Sequence, residues 1–87
     1  MIRRSTRKDK RLMLILDDRK IHFGSARGFT FVDGATEKTR DNYIKRHSVR
    51  EDFTKINPAS LSRFILWETP DIERNISNYF RRFQITR

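Results

Sequence analysis

Residues 12–23 read LMLILDDRKIHF, and this stretch decides the fold. Its apolar run of five residues is followed by the polar residues 17–20 and then by a second apolar segment. Two apolar segments joined by a short polar turn are typical of a β-hairpin. Residues 29–32 alternate again after a turn-rich stretch and end at Asp33-Gly34. We therefore predict a three-stranded antiparallel sheet over about residues 12–32, with a buried face formed by Leu12, Leu14, Leu16, Phe23, Phe29 and Phe31.

Beyond Gly34 the apolar spacing changes from two residues to three or four, which is typical of helices. Thr36 is suited to cap a helix over residues 37–47. Asn57-Pro58 is suited to start a second helix that ends near Trp67, and we expect the Trp67 side chain to be partly buried. Thr69-Pro70 is suited to start a third helix. The third helix has the clearest apolar stripe: Ile72, Ile76, Tyr79, Phe80 and Phe83. The sequence therefore predicts one small α+β domain over residues 12–87, with about three helices packed on one face of the sheet.

The positive charge is concentrated at the N-terminus. The chain has 20 Lys and Arg against 11 Asp and Glu, for a net charge of +9, and residues 1–11 hold six cations and one acid. Since these residues offer little that a core would bury, we expect residues 1–11 to be a disordered basic arm when unbound. The arm is interpreted as a polyanion-binding segment, a solubilising tail, or a localisation or assembly segment.

Two further basic groups lie on the predicted helices. Arg40, Lys45, Arg46 and Arg50 lie on or just after the first helix, and Arg81, Arg82 and Arg87 lie at the end of the last one. Cations at a helix C-terminus also suit the helix dipole, and neighbouring acids offer ordinary ion pairs, so both interpretations stay open. The predicted nucleic-acid-binding residues are Arg3, Arg4, Arg7, Lys8, Lys10, Arg11, Lys45, Arg46, Arg81 and Arg82. Five aromatic residues have two interpretations, packing in the core or stacking on nucleic-acid bases: Phe29, Phe31, Trp67, Tyr79 and Phe80. Their helical or strand spacing favours the core.

Several classes of protein are disfavoured by the sequence. Without cysteine the chain has no disulfide framework and no thiolate metal site. An apolar run of five residues is too short for a secretory core or a membrane span. His22 and His47 are isolated from other metal ligands and from any recognisable catalytic set. We expect no enzyme, no cofactor, no metal, no small-molecule substrate and no membrane span.

Four short motifs lie along the chain. They are Ile21-His22-Phe23-Gly24, Arg46-His47-x-x-Arg50-Glu51, Leu61-Ser62-Arg63 and Tyr79-x-x-Arg82-Phe83. Together they resemble a family of small uncharacterised basic proteins that recur in nucleocytoplasmic large DNA viruses, in mimivirus-like and chlorella-virus-like groups. The resemblance spans about residues 12–83. It implies a protein of the virion, intracellular in the infected host cell. It also implies a shared charged scaffold, Arg46, His47, Arg50, Glu51 and Arg63, which is either an ion-pair network between helices or a ligand surface.

Three functions follow from these features. The first is a non-enzymatic protein that binds nucleic acid through phosphate contacts without sequence specificity, in genome packaging or condensation. The second is a minor capsid or cement protein that bridges subunits of the viral coat protein. The third, an accessory enzyme, requires a pocket with converging titratable groups and has the least support.

Overall fold

A computed structural model describes residues 1–86 of the chain. It contains a three-stranded antiparallel sheet followed by three helices, as the sequence predicts. The strands are β1 (Ile2–Arg4), β2 (Lys10–Leu16) and β3 (Arg19–Ser25). The helices are α1 (Glu37–Ser48), α2 (Pro58–Leu61, continued by a π-helical segment, Ser62–Leu66) and α3 (Ile72–Arg82).

Strand β2 lies at the centre of the sheet. The predicted hairpin is confirmed, because Leu12 pairs with Phe23 and Leu14 pairs with Ile21. Leu14 and Phe23 are completely buried, and their alternate positions place them on the same face of the sheet. The core on this face is completed by buried residues of the helices: Leu61, Ile65, Leu66, Trp67, Ile76, Tyr79 and Phe80.

The expectation of a disordered N-terminal arm is wrong for much of residues 1–11. Ile2–Arg4 forms β1, with Ile2 opposite Leu14 and Arg4 opposite Leu12, while Lys10 and Arg11 belong to β2. An outer edge of β2 provides unpaired backbone groups, and a strand that pairs with it gains hydrogen bonds whatever its side chains are. The basic side chains of β1 stay exposed to solvent while Ile2 packs against the core.

The predicted strand at residues 29–32 is also wrong. Phe31–Asp33 forms a 3₁₀ turn that ends at Gly34, whose φ is 109°. The carboxylate of Asp33 accepts hydrogen bonds from the backbone N–H of Thr30 at 2.8 Å and from its hydroxyl at 2.9 Å. These local bonds satisfy the backbone without a partner strand. As a result Phe29 is outside the core and 65% exposed.

The helix starts follow local capping chemistry. Thr36 accepts a hydrogen bond from the Thr39 backbone N–H, and Asn57 accepts one from Ser60, as predicted for α1 and α2. The predicted start of α3 at Thr69 is wrong, because Asp71 caps that helix and Thr69 instead accepts a hydrogen bond from the Asp71 N–H. Trp67 is buried rather than partly covered.

Candidate nucleic-acid interface

Three open depressions adjoin one another along one side of the molecule. The first is lined by Lys8, Asp9 and Ser25 to Arg27, and the second shares Asp9 and Ser25 with it. The second shares His47 and Glu51 with the third. Their volumes are about 340, 340 and 420 Å³. We call this continuous surface the basic groove and define it by the five cations that line it: Lys8, Lys10, Arg27, Arg46 and Arg50.

The sheet brings the first cations of the groove together. Lys8 lies in the turn between β1 and β2, and Lys10 starts β2. Lys10 pairs with Ser25 at the end of β3, and the Ala26 N–H donates to the Asp9 carbonyl at 3.2 Å. This contact holds the turn against the loop after β3. Arg27 therefore lines the same depression as Lys8.

The end of α1 supplies the other cations. Arg46 lies in its last turn, and the carbonyl of His47 accepts hydrogen bonds from the backbone N–H groups of Arg50 at 3.1 Å and Glu51 at 3.0 Å. The chain therefore turns back on itself just after the helix. Arg46 and Arg50 consequently line the same depression.

The floor of the groove contains the rings of Tyr43 and His47, which stack with the buried ring of Trp67. The ring of Tyr43 lies between Trp67, at a centroid distance of 4.3 Å and an angle of 10°, and His47, at 4.1 Å. Burial, together with the nearby charge of Glu51, raises the pKa of Tyr43 to about 12. Nδ1 of His47 lies 3.1 Å from Oε2 of Glu51, but the two are not aligned for a hydrogen bond. The Tyr43 phenol in the floor is therefore neutral at physiological pH.

The groove cations form no ion pairs with acids in the described part of the chain. Among the described residues no side-chain ion pair or hydrogen bond involves Lys8, Lys10, Arg27, Arg46 or Arg50. The described arginines that do pair with carboxylates are Arg7, Arg11, Arg40 and Arg63. Two acids, Asp9 and Glu51, also line the groove, so five cations against two acids leave it with a net positive charge and a positive potential along its length.

The predicted binding residues do not all lie together. Lys8, Lys10 and Arg46 line the basic groove, and Lys45 is exposed beside Arg46 without lining it. Arg3 and Arg4 are exposed on the edge strand β1.

The other predicted residues are occupied elsewhere or lie outside the groove. Arg7 pairs with Asp9, and both terminal nitrogens of the Arg11 guanidinium, Nη1 and Nη2, contact Asp33, at 2.5 and 2.7 Å. Arg82 lies 4.1 Å from the centre of the Phe64 ring, and Arg81 is exposed on the last turn of α3. Arg87 lies outside the described residues.

Two groove cations, Arg27 and Arg50, are outside the predicted binding residues, and of these Arg27 was named in no basic group or motif. It stands alone in the turn-rich stretch between Gly24 and Gly28, with no cation at helical or strand spacing. Its place beside Lys8 follows from the register of β2 with β3, which composition does not reveal.

The charged motif residues divide between the two roles left open by the sequence. Arg63 belongs to an ion-pair network, because its Nη1 lies 2.9 Å from Oε1 of Glu68, which also accepts a hydrogen bond from Arg40 at 3.1 Å. Nε of Arg40 donates to the Trp67 carbonyl at 2.7 Å, and these bonds hold α1 against the end of α2. The remaining four, Arg46, His47, Arg50 and Glu51, line the groove.

The matching family model is that of a family of unknown function, and it covers residues 1–47, more than half of the chain. The chain belongs to this family, DUF5754. No curated protein and no solved structure is similar enough to count as a match. The sequence-based expectation that the chain belongs to an uncharacterised family is confirmed in this form.

The DUF5754 region contains the whole sheet, the 3₁₀ turn and α1 as far as His47. It thus includes four of the five groove cations, Lys8, Lys10, Arg27 and Arg46. Over residues 1–86 no group of three or more potential metal-ligating side chains is present. Within the same residues no helix has the length and apolar character to cross a membrane.

Proposed function

We propose that this DUF5754 protein is a non-enzymatic protein that binds nucleic acid through phosphate contacts along the basic groove, without sequence specificity. The observation that carries the proposal is the row of five unpaired cations on one continuous surface. Phosphates that replace solvent counterions at these side chains release those ions, which favours binding at low salt. Phosphate contacts position a protein on nucleic acid but carry no sequence information.

The biological setting that we propose is the virion of a large DNA virus, where such binding packages or condenses the genome. Support for this setting comes from the sequence motifs between Ile21 and Phe83 and from the net charge of +9. A charge of this size on an 87-residue chain favours association with a polyanion at high rates.

The alternative is a minor capsid or cement protein that bridges coat subunits. One observation favours it: a mainly apolar depression of about 270 Å³ between β1 and α3, lined by Met1, Ile2, Glu73, Ile76 and Phe80. It lies beside the edge strand β1, and edge strands are common sites of pairing with another chain.

Binding titrations at several salt concentrations test the proposal. We expect affinity for duplexes of unrelated sequence to be equal within about twofold and to fall steeply with salt, with a slope of about −4.5 in log K against log salt if all five cations contact phosphates. Absence of salt-sensitive binding to any nucleic acid, together with attachment to purified coat protein, would instead establish the capsid alternative.

Deleting residues 2–11 is not a useful test. The deletion removes β1 and the start of β2, so it would damage the sheet as well as the charge. Single substitutions of exposed groove cations leave the backbone pairing in place and are the appropriate variants.

A further inference from the structure

Phe29 is the most exposed aromatic residue in the described part of the chain, with 65% of its surface accessible. The other aromatics are buried or half-buried, including Phe23, Trp67, Tyr79 and Phe80, which are 8% exposed or less. Single exposed hydrophobic residues are common, so exposure alone assigns no role to Phe29. Phe29 is distinguished by the hydrogen-bonded turn that holds its backbone and by the groove cation close to it along the chain.

The backbone beside Phe29 is held firmly. Thr30 donates from its backbone N–H and its hydroxyl to the carboxylate of Asp33, which is in turn fixed by Arg11. The Arg11 guanidinium holds the pKa of Asp33 well below its usual range, so this clamp stays charged at neutral pH. The ring edge of Phe29 lies 3.8 Å from the position that a Cβ on Gly34 would occupy. Phe29 is therefore presented to solvent from a rigid turn.

Phe29 is also close along the chain to a residue that lines the basic groove. Arg27, two residues earlier, lines the groove, so the two Cα atoms are within about 7 Å of each other even in an extended chain. A strand whose phosphates contact Arg27 would carry its bases within reach of the Phe29 ring.

We infer that the basic groove also accepts single-stranded nucleic acid and that Phe29 stacks on an unpaired base of a strand whose phosphates lie in the groove. The inference rests on the proposed function. In a duplex the base faces are covered by their neighbours, whereas each base of a single strand has an open face for stacking. Stacking accepts every base, which agrees with binding that lacks sequence preference.

The test compares wild-type protein with Phe29→Leu and Phe29→Tyr by fluorescence anisotropy. The probes are an oligothymidylate of about 12 nucleotides, an abasic strand of the same length and a duplex of the same length. We expect Phe29→Leu to weaken binding of oligothymidylate at least about fivefold, while Phe29→Tyr, which keeps the ring, retains the wild-type affinity. Binding of the abasic strand and of the duplex should be the same for all three proteins.

Equal affinity of wild type and Phe29→Leu for oligothymidylate would overturn the inference. An equal loss on the abasic strand would do the same, because the ring would then act on the fold or on another partner rather than on a base. A variant with Lys10→Gln, Arg46→Gln and Arg50→Gln distinguishes failure of the stacking role from failure of the proposed function. If that variant loses salt-sensitive binding while Phe29→Leu does not, phosphate binding stands and the stacking role fails; if wild type binds no probe, both fail.

Discussion

Gly24 is held in a backbone conformation and a space that suit glycine alone. Its φ is +77°, and a Cβ there would lie 2.8 Å from Cδ1 of Leu66 and 3.3 Å from Cβ of Arg11. We expect Gly24→Ala to lower the free energy of unfolding by about 1–3 kcal/mol, through backbone strain and the displaced neighbours. Urea denaturation measures this change.

Gly28→Ala is the matched control for that substitution. A Cβ on Gly28 would lie no closer than 3.4 Å to its neighbours, so we expect a change within about 0.5 kcal/mol. Equal stability of the two variants would show that the β3 bend at Gly24 is not constrained as described.

Tyr43 allows a second measurement at the scale of one residue. Its folded pKa of about 12 is above the ordinary value of 10.0, so the fold favours the protonated phenol. The stabilisation is complete below about pH 10 and is lost as the pH rises through about 12. Because the chain has two tyrosines, Tyr79→Phe leaves Tyr43 as the only one to titrate.

We expect the ultraviolet absorbance of tyrosinate in Tyr79→Phe to rise with a midpoint near pH 12 in the folded protein. The same variant unfolded in urea serves as the control and should titrate near pH 10. A folded midpoint near pH 10 would show that the Tyr43 ring is not packed between Trp67 and His47.

At the scale of elements, Asn75 connects α3 to the end of α2. The buried Nδ2 of Asn75 donates to the carbonyls of Ile65 at 2.9 Å and Thr69 at 2.8 Å. Ile65 belongs to the π-helical segment, Ser62–Leu66, that closes α2. Asn75 therefore satisfies carbonyls at this irregular helix end that would otherwise lack a partner.

We expect Asn75→Ala to lower the free energy of unfolding by about 2–3 kcal/mol, since it removes the donor from the buried Ile65 carbonyl and from the partly buried Thr69 carbonyl. Asn78→Ala on the same helix is the control, because the Asn78 side chain only accepts a long hydrogen bond from Arg81, at 3.4 Å. Thermal or urea unfolding compares the two. Similar stability of both variants would contradict the bridging role of Asn75.

Elements that depend on nearby residues are the ones that the sequence predicted well. The caps Thr36 and Asn57 bond to backbone groups three residues away, and the central hairpin follows from alternation and its short turn. The 3₁₀ turn after Phe29 combines local hydrogen bonds between Thr30 and Asp33 with a contact from Arg11, 22 positions earlier, and the alternating apolar residues 29–32 predicted a strand there instead. Strand β1 depends on the edge that β2 leaves open, which is not visible in the local pattern of residues 1–11.

At the scale of the whole molecule, the net charge predicted a polyanion-binding protein but not the place of the site. Twenty cations are spread along the chain, and the tertiary structure decides which of them pair with acids. Arg11 and Arg63 are taken into ion pairs, whereas Arg27, which no motif singled out, joins Lys8 at the groove. Pairing between distant residues therefore separates binding cations from structural ones.

The measurement that tests the basic groove most directly is the salt dependence of nucleic-acid binding in two charge-matched variants. The groove variant carries Lys10→Gln, Arg46→Gln and Arg50→Gln. The control variant carries Arg19→Gln, Lys38→Gln and Arg74→Gln, three exposed cations that do not line the groove. Both lose the same net charge, so only the position of the lost charges differs.

We expect the slope of log K against log salt on B-DNA to become shallower by about 2.7 units in the groove variant, since each lost phosphate contact removes about 0.9. The control variant should change the slope by less than about one unit. Equal slopes in the two variants would contradict binding along the basic groove and would show that only the overall charge matters.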